Sequence, residues 1–110
     1  MNSPNEIESL TDIAIVYKVQ EGEVNLFELL IRRYSSYLYK IGRACGYNHS
    51  DTEDLMQETY IIAYRHLSAF KNHSSFKIWI VKIMLNSCNH KKLKFDCQKE
   101  LQKIYPHQDF

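Results

Sequence analysis

Apolar residues recur at helical spacing in four stretches of this chain, and only three glycines and two prolines interrupt its 110 residues. That pattern predicts an all-α fold, a compact bundle of about four helices. The first helix is expected over about 6–20, with Leu10, Ile13, Ala14 and Tyr17 facing inward and Gly22 stopping it. Asn25 opens the second, with Glu28 as its capping-box partner. Its inward face is Phe27, Leu30, Ile31, Tyr34, Leu38 and Ile41; Gly42 lies inside the pattern and Gly46 ends it. Ser50 and Glu53 make a second capping box for the third helix, whose first turn holds Asp51 and Asp54. Ser74 or Ser75 caps the fourth, over about 75–94. Phe76, Trp79, Ile80, Ile83, Ser87 and His90 form its inward face. Ile78, Val81 and Leu85 form a second apolar strip, which predicts packing on two sides. Lys82, Asn86 and Asn89 form a polar stripe. Residues 95–110 either continue the helix to about Ile104 or begin a linker.

The third helix sorts most cleanly. Leu55, Met56, Thr59, Tyr60, Ala63 and Leu67 fall on one side; Asp54, Gln57, Glu58, Ile61 and Arg65 fall on the other. The first set is a core stripe. The second is a polar, mostly acidic ridge with an apolar residue at its centre. An apolar side chain ringed by charge resembles an interface hot spot with its polar rim. Single exposed apolar residues are also common, and both readings stay open on this helix alone.

Charge changes the picture more than composition does. The formal net charge is only +1, yet residues 1–58 carry ten acids against five Lys and Arg, and residues 59–110 three against nine. Six lysines and no acid lie between Lys71 and Lys94. Such polarity suits two partners of opposite preference, one of them a nucleic acid, or else a solvated lysine face. Cys45, Cys88 and Cys97 have neither a disulfide-framework nor a zinc-site spacing, and the C-x-H pair Cys88 and His90 reads as a buried thiol near a helical histidine. No run of about 18 apolar residues suggests a membrane span. The polar, acidic start resembles no secretory leader, so a cytoplasmic location is expected.

Catalysis finds no support. Paired carboxylates occur only in the helix-cap cluster, there is no glycine-rich phosphate loop, and the five histidines are scattered. No enzyme activity and no cofactor or metal are expected. The connection 70–75 is more informative. A small polar loop beside an aromatic wall can hold a base removed from its stack, lysines neutralise phosphates, and asparagines suit base edges. Phe70, Lys71, Asn72, His73 and Ser74, beside Lys82, Asn86 and Asn89, supply those parts. A capped turn with a solvated polar face would contain the same residues.

Taken together, DTEDLMQETY (51–60), AYRHL (63–67), Phe70 and SSFKIWIVKIMLN (74–86) resemble region 2 of bacterial sigma factors, above all the extracytoplasmic-function (ECF) group. FELLIRRY (27–34) with Leu38 and Tyr39 is similar to the family's preceding helix, and the likeness runs from about 13 to 94. The resemblance implies a transcription-initiation domain that docks on the clamp helices of the RNA polymerase β′ subunit and opens the promoter −10 element by capturing a flipped non-template base. Asp54, Gln57 and Glu58 match the docking motif; periodicity adds Ile61 and Arg65. Base capture maps onto the 70–75 loop with Lys82 and Asn86, and Asn89 and Lys91 extend that face. An anti-sigma factor is a further expected partner, covering the same ridge.

Two departures qualify the likeness. Ile78 stands where many members have Thr before the Trp. Residues 95–110 do not resemble the family's −35-reading helix-turn-helix, so the expected organisation is a region 2-like domain over 1–94 and a tail or the start of an interdomain linker over 95–110. A sigma-like decoy or adaptor without DNA binding is the alternative. A generic duplex binder is a third reading, with the reverse preference between double and single strands.

Overall fold

The computed structural model describes residues 7–71 and 75–104, with 92–104 described by backbone alone. Four α-helices follow one another: α1 Asp12–Gln20, α2 Phe27–Ala44, α3 His49–Arg65 and α4 Phe76–Ile104. Short 3-10 turns, Val24–Leu26 and Leu67–Ala69, precede α2 and follow α3. Helices α2, α3 and α4 each pack against the other two, while α1 lies against α2 and the Leu67–Ala69 turn.

The core stripe of α3 is as its period predicts: Leu55, Thr59, Ala63 and the following Leu67 are buried, with Met56 and Tyr60 partly so. Its buried threonine is accommodated by a local bond. Thr59 Oγ1 donates to Leu55 O at 2.8 Å and lies 3.2 Å from the Met84 sulfur. Thr52, which the stripe did not include, is also fully buried, where α3 passes Gly42 of α2. Helix α2 buries Phe27, Leu30 and Leu38 and half-buries Ile31, Tyr34 and Ile41 as expected.

Helix boundaries differ from the expected ones in ways that capping explains. The first helix is not continuous over the described residues: 7–8 are helical, but the chain turns at 9–11. Thr11 is extended and its Oγ1 accepts from Ala14 N at 3.1 Å, so α1 begins at Asp12. Its inward face is Ile15, Val16 and Val19, whereas Tyr17 is exposed. The Asn25–Glu28 capping box does not form: Asn25 lies inside a 3-10 turn, and Glu28 instead pairs with Arg32 at 3.0 Å. Nor does Ser50 cap α3. Gly46, at φ +97°, turns the chain so that Asn48 becomes the cap, accepting from Asp51 N at 2.8 Å. Glu53 then pairs with His49. Ser75 does cap α4, accepting from Ile78 N at 3.2 Å.

Helix α4 continues to Ile104. It buries Phe76, Ile80, Met84, Ser87 and Cys88 on one side. Of the second apolar strip only Val81 packs against the core; Ile78 and Leu85 are 49% and 40% exposed, because α2 and α3 both lie on the first side. His90 is exposed and Trp79 only partly buried, so neither is a full core residue. Asp12 fastens α1 to α2, accepting from Arg33 at 2.8 Å and from the Tyr34 hydroxyl. Burial, then the bond to Asp12, pushes the Tyr34 phenol up to about 12.

Candidate functional site

The ridge of α3 stands clear of the bundle. Asp54, Gln57, Glu58 and Arg65 are exposed, and Ile61 between them is 51% exposed. Among the described residues none of the four polar side chains makes an ion pair or a side-chain hydrogen bond. Some charges elsewhere are paired internally: Lys18 with Glu23, Arg32 with Glu28, Arg33 with Asp12, and Lys91 with Asp51. The ridge thus presents hydrogen-bonding groups without internal partners around an apolar centre. That arrangement suits a protein partner, since a rim of polar groups excludes water from a central contact.

The described residues expected to meet DNA do not share one setting. Asn72, His73 and Ser74 lie outside the described residues. Phe70 is turned into the core, its ring 5.8 Å from Phe76 and 5.4 Å from Trp79 by centroid. It therefore offers no stacking face, because the aromatic cluster already covers it. Lys71 is exposed at the loop's start. Lys82, Asn86 and Asn89 form an exposed stripe on α4. Lys91, further along, is held 3.0 Å from Asp51 and 5.7 Å from the centre of the Tyr47 ring, tying α4 to the start of α3.

The helical rise puts Asn86 about 16 Å along α4 from Ser75. An extruded base is too short to span that distance, so Ser75 and the asparagine stripe are well separated along α4. Asn86 also lines a hollow of about 300 Å³ between α3 and α4, with Glu58 on its opposite wall and Ile62, Ile83, Ser87 and His90 around it. A carboxylate there repels phosphate, so the Asn86 amide suits a base edge. Glu58 and Asn86, assigned to different partners from the sequence, share this hollow; their separation in the chain concealed it. Cys88 is buried beside Cys45, and burial pushes its thiol up to about 11, with the neighbouring Cys45 adding to the shift and Lys91 opposing it.

With the surfaces described, likeness to known proteins can be weighed. Residues 30–94 match the Sigma-70 region 2 family. The ECF RNA polymerase sigma-E factors of Haemophilus influenzae and Escherichia coli strain K12 are each 36% identical over 84 residues, which is 76% of this chain. The aligned segment spans 43% of the length of each of those relatives. Among solved structures, an engineered region 2 of sigmaE in complex with GTAAAA superimposes with a TM-score of 0.72 at 31% identity, over 79% of this chain and 90% of that one. CnrH in complex with the cytosolic domain of CnrY superimposes with a TM-score of 0.67 at 25% identity, over 72% and 51% respectively. The ridge of α3 and the first turns of α4 fall within residues 30–94, and the chain belongs to the Sigma-70 region 2 family as a region 2 domain of the ECF sigma-factor type.

Proposed function

We propose that this domain docks on the β′ clamp helices of core RNA polymerase through the α3 ridge, and recognises and melts the −10 element of a promoter by holding an extruded non-template base at the 70–75 loop. The observation that carries the reading is the ridge itself: Ile61 half exposed amid Asp54, Gln57, Glu58 and Arg65, none of them paired among the described residues. The sigmaE region 2 relative bound to GTAAAA supports a nucleic-acid role for the loop and for the α4 stripe of Lys82, Asn86 and Asn89. Its mechanism is selection by binding: contacts to an extruded base offset the few kcal/mol needed to unstack it. The domain makes and breaks no bond and acts where polymerase acts, in the cytoplasm. No helix among the described residues is long and apolar enough to cross a membrane.

The ridge and the α4 stripe are held in a fixed relation, because α3 and α4 are joined by Asp51–Lys91 at one end and by Thr59 against Met84 in the core. The complex of CnrH with the cytosolic domain of CnrY supports an anti-sigma factor as a competing partner.

The test is capture of core RNA polymerase by the purified chain, wild type beside Glu58→Lys and Ile61→Asp. Both residues are exposed, so both variants should fold. Wild-type capture lost in both variants is the expected result. Failure of the folded wild type to capture polymerase would favour a decoy or adaptor without a role in initiation.

A further inference from the structure

Helices α2 and α4 run side by side in the same direction. The Tyr34 ring lies 5.9 Å from that of Phe76, Lys77 Nζ stands 4.3 Å from the centre of the Tyr37 ring, and the Cβ position of Gly42 faces Met84 Cε. One turn further along each helix stand Cys45 and Cys88, whose side chains are within hydrogen-bonding reach of each other. The Tyr47 hydroxyl closes this end of the seam, donating to Cys88 O at 2.5 Å. A disulfide needs Cα atoms about 4.4–6.8 Å apart. The missing side chain at Gly42 lets the two helices come close one turn away from the thiols. The thiols differ in access, since Cys45 is exposed and Cys88 is buried.

We propose that Cys45 and Cys88 are a peroxide-responsive pair that forms a reversible intramolecular disulfide across the seam between α2 and α4. An open thiol beside a buried one divides the chemistry: the first meets the oxidant and the second resolves the product. The Cys45 sulfur attacks the O–O bond of hydrogen peroxide and becomes a sulfenic acid, while the displaced hydroxide takes the thiol proton and leaves as water. The Cys88 sulfur then attacks that of Cys45. The S–O bond breaks, and the second hydroxide leaves as water with the Cys88 proton. Two thiols have lost two electrons, and one peroxide has become two waters. A dithiol reverses the bond by exchange and is itself oxidised to a disulfide. Burial holds the Cys88 thiol protonated, with Cys45 adding to the effect and Lys91 opposing it. Cys88 therefore stays unreactive until a sulfenic acid stands beside it. In a reducing compartment such bonds are transient and report on oxidant. The bridge joins α2 to α4 around the whole of α3, so it restricts the unfolded chain far more than the folded one. Spacing along the chain conceals the pair, because only the parallel packing of the two helices brings the thiols together.

The test is to treat the full chain with hydrogen peroxide, block the remaining thiols and map the peptides by mass. The expected product is a single chain lighter by two hydrogens, bridged between Cys45 and Cys88, with Cys97 still free. Dithiothreitol should restore both thiols. The bridged form should melt at least about 8 °C above the reduced form. Cys45 is exposed, so Cys45→Ser should fold, and it should lose both the bridge and the shift in Tm. A bridge through Cys97, a disulfide between two chains, or Cys45 driven on to sulfinic acid beside a free Cys88 would each overturn the pair. A bridged form that melts below the reduced one would overturn it too, because the two helices would then have to move to make the bond.

Discussion

Gly42→Ala sets two effects of known sign against each other. Inside an exposed helix the change would stabilise by about 1 kcal/mol, because alanine has the higher helix propensity. Here the new Cβ would sit 2.5 Å from Thr52 Cγ2, 3.1 Å from Thr52 Oγ1 and 3.2 Å from Met84 Cε. The Met84 methyl ends a flexible side chain and can yield. Thr52 is β-branched and fully buried, so its methyl moves only if α2 and α3 separate. Overpacking of this kind costs about 1–3 kcal/mol. The net expectation is a loss of about 1 kcal/mol, or a fall in Tm of roughly 4–8 °C for a domain of this size. The assay is urea and thermal unfolding of Gly42→Ala, Thr52→Ser and the double variant. Thr52→Ser removes the clashing methyl, so the double variant should be more stable than the sum of the single changes by about 1 kcal/mol. A Gly42→Ala protein more stable than wild type, or strictly additive energies, would refute the close approach of α2 to α3. That approach matters to function because it sets the angle at which α3 presents its ridge.

The other expectations concern the loop, the stripe and pH. Asn86→Ala should weaken binding of a preferred single-stranded −10 oligonucleotide by about 1–3 kcal/mol with no change in Tm, and unchanged affinity would remove Asn86 from the DNA surface. Trp79→Ala should cost about 2 kcal/mol, less than for a fully buried aromatic, since Trp79 only partly enters the core beside Phe70 and Phe76; a wild-type melting temperature would contradict that packing. Alkaline pH should destabilise the domain. Cys88 at about 11 and Tyr34 at about 12 ionise later in the folded chain than at their ordinary 9.0 and 10.0, so between those values the unfolded chain loses protons that the folded chain keeps. Their contribution is whole below about pH 9 and declines above it. Urea midpoints flat up to about pH 9 and falling beyond would agree, and in Tyr34→Phe the fall should be shallower above about pH 10. A midpoint unchanged up to about pH 11 would mean that neither group is buried as described.

Helix α3 was legible in the chain because its two faces differ sharply: apolar and threonine residues on one side, acids and Ile61 on the other. Period alone therefore determined its core stripe, its exposed ridge and the all-α class. Helix α1 was not legible in the same way. Its Ile13-Ala14-Ile15-Val16-Tyr17 run is apolar all round, so period singles out no face, and contact with α2 and the Leu67–Ala69 turn decided that Ile15, Val16 and Val19 turn inward. Caps misled for a related reason. Asn25, Ser50 and Asn48 are all suitable residues, and the choice between Asn48 and Ser50 followed the turn at Gly46. Gly42 was visible only as an oddity within a helix; its cause is Thr52 on another element. The hollow shared by Glu58 and Asn86 unites residues far apart in the chain. The sequence by itself determined which side of each strongly amphipathic helix is apolar, because periodicity is a local property carried along one element. The tertiary structure alone decided which sides meet and which surfaces stay open, because those depend on how closely separate helices approach.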